Sequence, residues 1–231
     1  MMKTRTRYFL LALATVLLSL KLFPTLDLYA LKSLNKLFFD ERTFAVITDM
    51  GNAFFITAFI IPALIVYSNF NSKINAVSAS ILVIPSLVFG LFIQLVKNIV
   101  NAPRPAGVDD ININFLEPVF QSNSFPSGHT ASIFIVCLIW LNVALTKTKG
   151  FQMHYFVIVL CALVVSLTRV IVGAHWLSDV LASILFAWLF TELFLKHFQK
   201  INKSKIAVYS SWGIILCAWY GVFFMEVFDY I

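Results

Sequence analysis

Long apolar runs broken by short polar connectors make up most of the chain. Seven runs stand out, over residues 8–23, 53–67, 76–96, 130–145, 151–172, 177–194 and 206–227. A helix needs about 20 residues to cross the hydrocarbon core of a bilayer. The first, second and fourth runs are short of that and reach it when their flanks extend the helices. Pro62 and Pro85 fall inside runs. Neighbouring helices can satisfy the carbonyls that such prolines free, and a kink is expected at each. Two stretches do not read as spans. Residues 26–52 carry Leu28, Leu31, Leu34, Leu37 and Phe38 at near-helical spacing, with Lys32, Asn35 and Lys36 between them. That pattern predicts a helix lying along the membrane interface. Residues 99–125 form a long polar loop bearing Pro103, Pro105 and Pro118, and long ordered loops are often functional.

Composition supports a membrane protein. Hydrophobic residues make up 60% of the 231 positions and charged residues only 12%, against about 25% charged in soluble domains. The polar surface needed to cover a globule in water is missing. The net charge of +6 is sparse and scattered between apolar runs, which argues against a nucleic-acid partner and for charge that sets topology. With the N-terminus in the cytoplasm and the runs alternating, ten basic residues fall inside: Lys3, Arg5, Arg7, Lys73, Lys147, Lys149, Lys196, Lys200, Lys203 and Lys205. Glu192 is the one acid on that side, and the other ten acids fall outside. This is the bias of the positive-inside rule. The start of the chain reads as an uncleaved first span, since Leu20-Lys21-Leu22-Phe23 offers no small-residue cleavage site. Cys137, Cys161 and Cys217 all sit in apolar runs and are expected to be small buried hydrophobes with neither disulfide nor metal role. The expected fold is all-α, a polytopic transmembrane helical bundle forming one domain over residues 1–231.

Three clusters carry chemistry. They are Lys97 to Arg104-Pro105, Phe125-Pro126-Ser127-Gly128-His129-Thr130, and Thr168-Arg169 to His175 and Asp179. The alternating topology puts all three at the outer ends of runs three to six. Lys97, Arg104 and Arg169 supply three positive charges. A phosphoryl group in transfer spreads negative charge over three oxygens, so its catalysis is mostly positioning and charge stabilisation. Pro103 and Pro105 restrict the backbone on both sides of Arg104. Pro126-Ser127-Gly128-His129 directly precedes an apolar run, which suits a helix start whose free N–H groups bind an anion. Ser127 offers a hydroxyl there, and His129 sits where a proton donor to a leaving oxygen would be useful. His175 and Asp179 are four apart. On a helix they would share one face, with the carboxylate fixing the imidazole tautomer and leaving the other nitrogen to attack phosphorus. No metal-ligand set stands out.

Each residue also has a plain structural reading. A single cation at a span end is ordinarily an interfacial anchor, a single outer histidine is a polar surface group, and an i,i+4 His/Asp pair ties a helix end. Those readings do not explain why three cations, two histidines, a carboxylate and a glycine-bearing helix start share one membrane face. His154 and His197 lie near the cytoplasmic side and are assigned no chemistry. Trp176 adjoins His175 and is read as part of the interfacial aromatic belt.

At these residues the chain resembles the type 2 phosphatidic acid phosphatase (PAP2) superfamily. Lys97 through Arg104-Pro105 resembles its K-x6-R-P motif, and Pro126-Ser127-Gly128-His129 its P-S-G-H motif. Arg169, His175 and Asp179 match its third motif, S-R-x5-H-x3-D, with Thr168 in place of the serine. Three motifs in order, with their internal spacing kept, cover residues 97–179. The resemblance implies a six-span core, with the run at 206–227 as an extra C-terminal span. It implies that His175 is the nucleophile, that Asp179 orients it and that His129 protonates the leaving group. It implies that Lys97, Arg104, Ser127, Gly128 and Arg169 bind the phosphate. Neither cofactor nor metal is implied.

The expected activity is hydrolysis of a lipid phosphate or pyrophosphate, such as undecaprenyl diphosphate, phosphatidylglycerol phosphate, phosphatidic acid or lipid A. The expected location is a bacterial inner membrane, with the site on the periplasmic face. Two other functions compete. A phosphotransferase would pass the same phosphohistidine to a second lipid. A non-catalytic transporter of anionic lipids would need the cations but neither histidine. The superfamily also holds soluble vanadate-dependent haloperoxidases, and this apolar composition argues against that activity.

Overall fold

The computed structural model describes residues 4–71, 74, 77–147, 152–201 and 204–230. Lys3, Lys73, Lys149 and Lys203, counted above among the inner cations, lie outside the described residues. Nine helices follow in order among the described residues: α1 (Thr4–Leu22), α2 (Pro24–Asn35), α3 (Glu41–Asp49), α4 (Ala53–Phe70), α5 (Ala79–Val100), α6 (Gly128–Lys147), α7 (Met153–Ile171), α8 (Leu177–Ile201) and α9 (Lys205–Phe224). Each of the seven apolar runs falls on a helix. By length and apolarity, α4, α5, α7, α8 and α9 can cross a membrane, and the bent pair α1 and α2 makes a sixth if it is one span. The apolar stretch Gly128–Ala144 of α6 is shorter. The fold is that of a polytopic membrane protein.

Local chemistry sets the breaks. Pro24 disfavours helical backbone at Phe23 (φ −121°, ψ 80°), and α1 and α2 meet there at 101°. The segment over residues 26–52, expected to be one interfacial helix, is two helices. Its chain turns between Asn35 and Asp40, where the Asp40 side chain accepts from the Thr43 N–H at 2.7 Å and starts α3. Pro62 removes the N–H that would bond the Ala58 carbonyl. The backbone widens to a π turn over Ile56–Ile60, and the Trp219 indole N–H from α9 donates to that carbonyl instead. Proline and its substitute donor thus pin the C-terminal helix against α4.

α6 lies at the centre of the bundle, packed by α5, α7 and α8. Its Ile135, Val136, Ile139 and Trp140 are almost wholly buried. α1 flanks α8, while α9 lies across α4 and α5. In a bilayer such burial gains close packing rather than release from water. Leu91, Leu95, Ile99, Leu193, Leu216 and Phe223 point outward, as an apolar solvent requires. The three cysteines are free, but only Cys137 is buried. Cys161 and Cys217 sit on outward helix faces, where lipid accommodates a small apolar group as readily as a core does.

Candidate active site

The ends of α1, α5, α6, α7 and α8, the 101–127 loop and the tail after α9 converge at one end of the bundle. All eight residues singled out in the sequence lie there. The positioning of His175 begins with the end of α7. Gly173 takes a positive φ of 73°, its N–H donates to the Val170 carbonyl, and the Ala174 N–H reaches back to that of Arg169 at 3.1 Å. This is a Schellman turn, which favours glycine at the left-handed position. A Cβ on Gly173 would also meet Phe115 at 2.8 Å. The His175 N–H donates to the same Arg169 carbonyl at 3.0 Å. The five-residue gap between Arg169 and His175 is therefore the length of a helix cap that folds the histidine back onto its arginine. His175 lies before α8, not on it as the i,i+4 reading supposed, because the cap turns the chain and α8 starts only at Leu177.

Asp179 sits in the first turn of α8 and is fully buried. One carboxylate oxygen accepts from the Trp176 N–H at 3.1 Å, capping the helix from its third position, and from the Ser124 hydroxyl at 2.5 Å. The other oxygen faces Lys21 at 3.3 Å. His175 Nδ1 is 3.6 Å from Asp179 and 3.4 Å from Ser124 Oγ. The serine therefore stands between the pair: it donates to Asp179 and accepts from the ring. This order puts the imidazole proton on Nδ1 and leaves the lone pair on Nε2. Burial, reinforced by the charges of Arg104, Lys97 and Arg169, holds the His175 pKa well below the ordinary 6.5, so the ring is neutral at physiological pH.

Three cations surround it. Arg169 is fully buried; its guanidinium donates to Thr48 Oγ1 at 2.8 Å and to the Tyr230 hydroxyl at 3.4 Å, and stacks 5.2 Å over the Tyr230 ring. Arg104 donates to the carbonyls of Ser122 and Ala174. Backbone bonds from Arg104 N to Gln121 O and from Ser124 N to Ala102 O close the base of its loop. Lys97 donates to the Asn123 carbonyl at 3.0 Å. Its Nζ is 3.9 Å from where a Cβ on Gly128 would stand, which puts the lysine beside the start of α6. Two buried donors in this shell, Ser127 Oγ and Arg169 Nε, have no hydrogen-bond partner among the described residues. Unpaired buried polar atoms are costly, and an anion among these cations would satisfy both.

His129 lies in the first turn of α6, between carboxylates that the sequence reading did not join to it. Its Nε2 is 3.4 Å from Asp49 Oδ1 and 3.7 Å from Asp229 Oδ2. Asp49 is fully buried at the end of α3 and accepts from the Tyr230 N–H. A Cβ on Gly51 would strike Val165 at 2.6 Å and His129 at 2.9 Å, so glycine is needed for this segment to lie against the histidine. Asp49, His129 and Asp229 place ligand atoms within 4.8 Å of one another, a donor group that no sequence spacing announces. Lys97, Arg104 and Arg169 act on His129 as positive charges, and the Asp229 carboxylate acts against them. Sequence reasoning also missed Lys21, Thr48, Ser124 and Tyr230. Of these only Ser124, two residues before Pro126, had a local signal.

The chain is 31% identical over 105 residues to a lipid A 1-phosphatase of Rhizobium johnstonii, covering 43% of this chain and 39% of that protein. It is 31% identical over 110 residues to a lipid A 1-phosphatase of Rhizobium etli, covering 45% and 43%. The chain thus spans less than half the length of these two relatives. Among solved structures, LpxE of Aquifex aeolicus superposes with a TM-score of 0.57 at 24% identity, over 74% of this chain and 95% of that one. A PAP2-type phosphatidylglycerolphosphate phosphatase of Bacillus subtilis superposes with a TM-score of 0.62 at 20% identity, over 86% and 96%. The sequence profile of the PAP2 superfamily matches residues 76–203, more than half of the chain and all three motif clusters. The chain belongs to the PAP2 superfamily.

Proposed function

We propose that this protein is an integral membrane phosphatase that removes phosphate from a lipid phosphate or pyrophosphate by way of a phosphohistidine at His175. The observation that carries this reading is the neutral, buried His175, backed by Ser124 and Asp179 and ringed by Lys97, Arg104 and Arg169. A phosphate bound by the three cations, the Ser127 hydroxyl and the N–H groups opening α6 presents its phosphorus to His175 Nε2. Attack forms an N–P bond as the P–O bond to the lipid breaks. The leaving oxygen takes a proton from His129. Asp179, through Ser124, stabilises the positive imidazole. Water, deprotonated by His129, then attacks phosphorus, releases inorganic phosphate and restores both rings. The bias of Lys and Arg toward one side supports a periplasmic site. The names of the relatives favour lipid A and phosphatidylglycerol phosphate as substrates.

The test is phosphate release by the purified protein in detergent from phosphatidic acid, phosphatidylglycerol phosphate, undecaprenyl diphosphate and lipid A, with a chelator present. Release from at least one lipid, unaffected by the chelator, is expected. No release from any of the four by folded protein would contradict the reading. A labelled phosphate on the donor, with an unlabelled second lipid in the same reaction, separates hydrolysis from transfer, since only a transferase moves the label to the second lipid.

A further inference from the structure

One cavity beside the site remains unassigned. On α5, Val83, Ser86, Leu87, Gly90, Gln94 and Lys97 recur at helical spacing and share a face. That face lines a mostly apolar cavity of about 410 Å³ between α4, α5, α6 and α9, within the usual range for small-ligand sites. Val83 to Lys97 spans roughly 21 Å at 1.5 Å per residue. The polar end of the cavity is Lys97, Gly128 and His129, whereas His175 does not line it. Displacement at phosphorus is in line, so the leaving oxygen lies opposite the nucleophile and the lipid departs on the His129 side. The far wall includes Ile214 and Val227, from a C-terminal segment that begins after the family match ends at residue 203. The tail is held by Asn52 Nδ2 donating to the Val227 carbonyl at 2.8 Å.

We infer that this cavity binds a hydrocarbon chain attached to the leaving oxygen of the lipid phosphate, and that the C-terminal helix makes it selective for that chain. The inference rests on the phosphatase reading above. The occupant follows from the lining: mostly apolar, with a cation at one end to meet the phosphate. Gly90 gives a direct test, because a Cβ there meets nothing within 4 Å and a larger side chain would fill the space. In Gly90→Leu, the ratio of kcat/KM for the long-chain form of a lipid phosphate that the protein hydrolyses to that for its short-chain, micelle-free form is expected to fall about tenfold. Gly213→Leu, at another open glycine that does not line the cavity, is expected to keep the parental ratio. A parental ratio in Gly90→Leu, with melting temperature unchanged, would overturn this inference alone. An equal fall in the ratio in Gly213→Leu would also overturn it. Hydrolysis of none of the four lipids named above by the unsubstituted, folded protein would overturn the phosphatase reading and this inference with it.

Discussion

Replacing His175 with alanine is expected to lower phosphate release by at least about 10⁴-fold, the scale of loss when a nucleophile is removed from a preorganised site. The fold should survive. The backbone bond from residue 175 to the Arg169 carbonyl is independent of the side chain, and the helix cap is carried by Gly173. The lost contacts are those of Nδ1 with Ser124 and Asp179, and the Ser124–Asp179 bond remains. Steady-state rates on a lipid phosphate, with thermal melting as the folding control, check this. A folded His175→Ala protein within about tenfold of the parent would show that another group attacks phosphorus. The non-catalytic transporter is tested by the same variant, since it predicts that lipid movement continues without the imidazole.

Arg169→Lys should reduce kcat/KM by about 10²- to 10³-fold, the loss typical when a charge-stabilising donor is removed. The positive charge is kept, so electrostatics alone would predict little change. The guanidinium, however, holds Thr48 and Tyr230 with its two terminal nitrogens and still has Nε without a partner among the described residues. A lysine has one compact ammonium and cannot reach those partners and a phosphate from one position. Thr48 would lose its donor in a fully buried place, and a fall in melting temperature is expected beside the kinetic loss. Activity within fivefold of the parent would mean that Arg169 is a structural strut and that Lys97 and Arg104 bind the phosphate.

What could be read in the sequence was what local spacing encodes. Arg169, Gly173 and His175 lie within one helix cap, and the distance between arginine and histidine is set by the 6→1 bond of that cap. Lys97 and Arg104 bracket the end of α5, where Asn101 adopts a left-handed backbone and turns the chain toward the loop. Pro126 to His129 announce a helix start, and α6 begins at Gly128. The groups that complete the site come from far along the chain. Lys21 meets Asp179, Asp49 meets His129, and Thr48 and Tyr230 meet Arg169. None of these pairs shares a helix, so no periodicity links them, and only the folding back of α3 and the C-terminal tail creates them. Apolar periodicity was also too coarse to divide residues 26–52. Leu37 and Phe38 continue the phase of Leu31 and Leu34, so the pattern runs on through the turn. The Asp40–Thr43 cap was the signal that a new helix begins.

The claim on which the account rests is a covalent bond between phosphorus and His175. A lipid phosphate carrying radioactive phosphorus, mixed with the purified protein and quenched in alkali within a turnover, tests it directly. Fragmentation of the labelled protein should place the phosphoryl group on His175, and the label should be lost on acidification, as a phosphorus–nitrogen bond requires. Turnover with no label on the protein, or a label on any other residue, would contradict it.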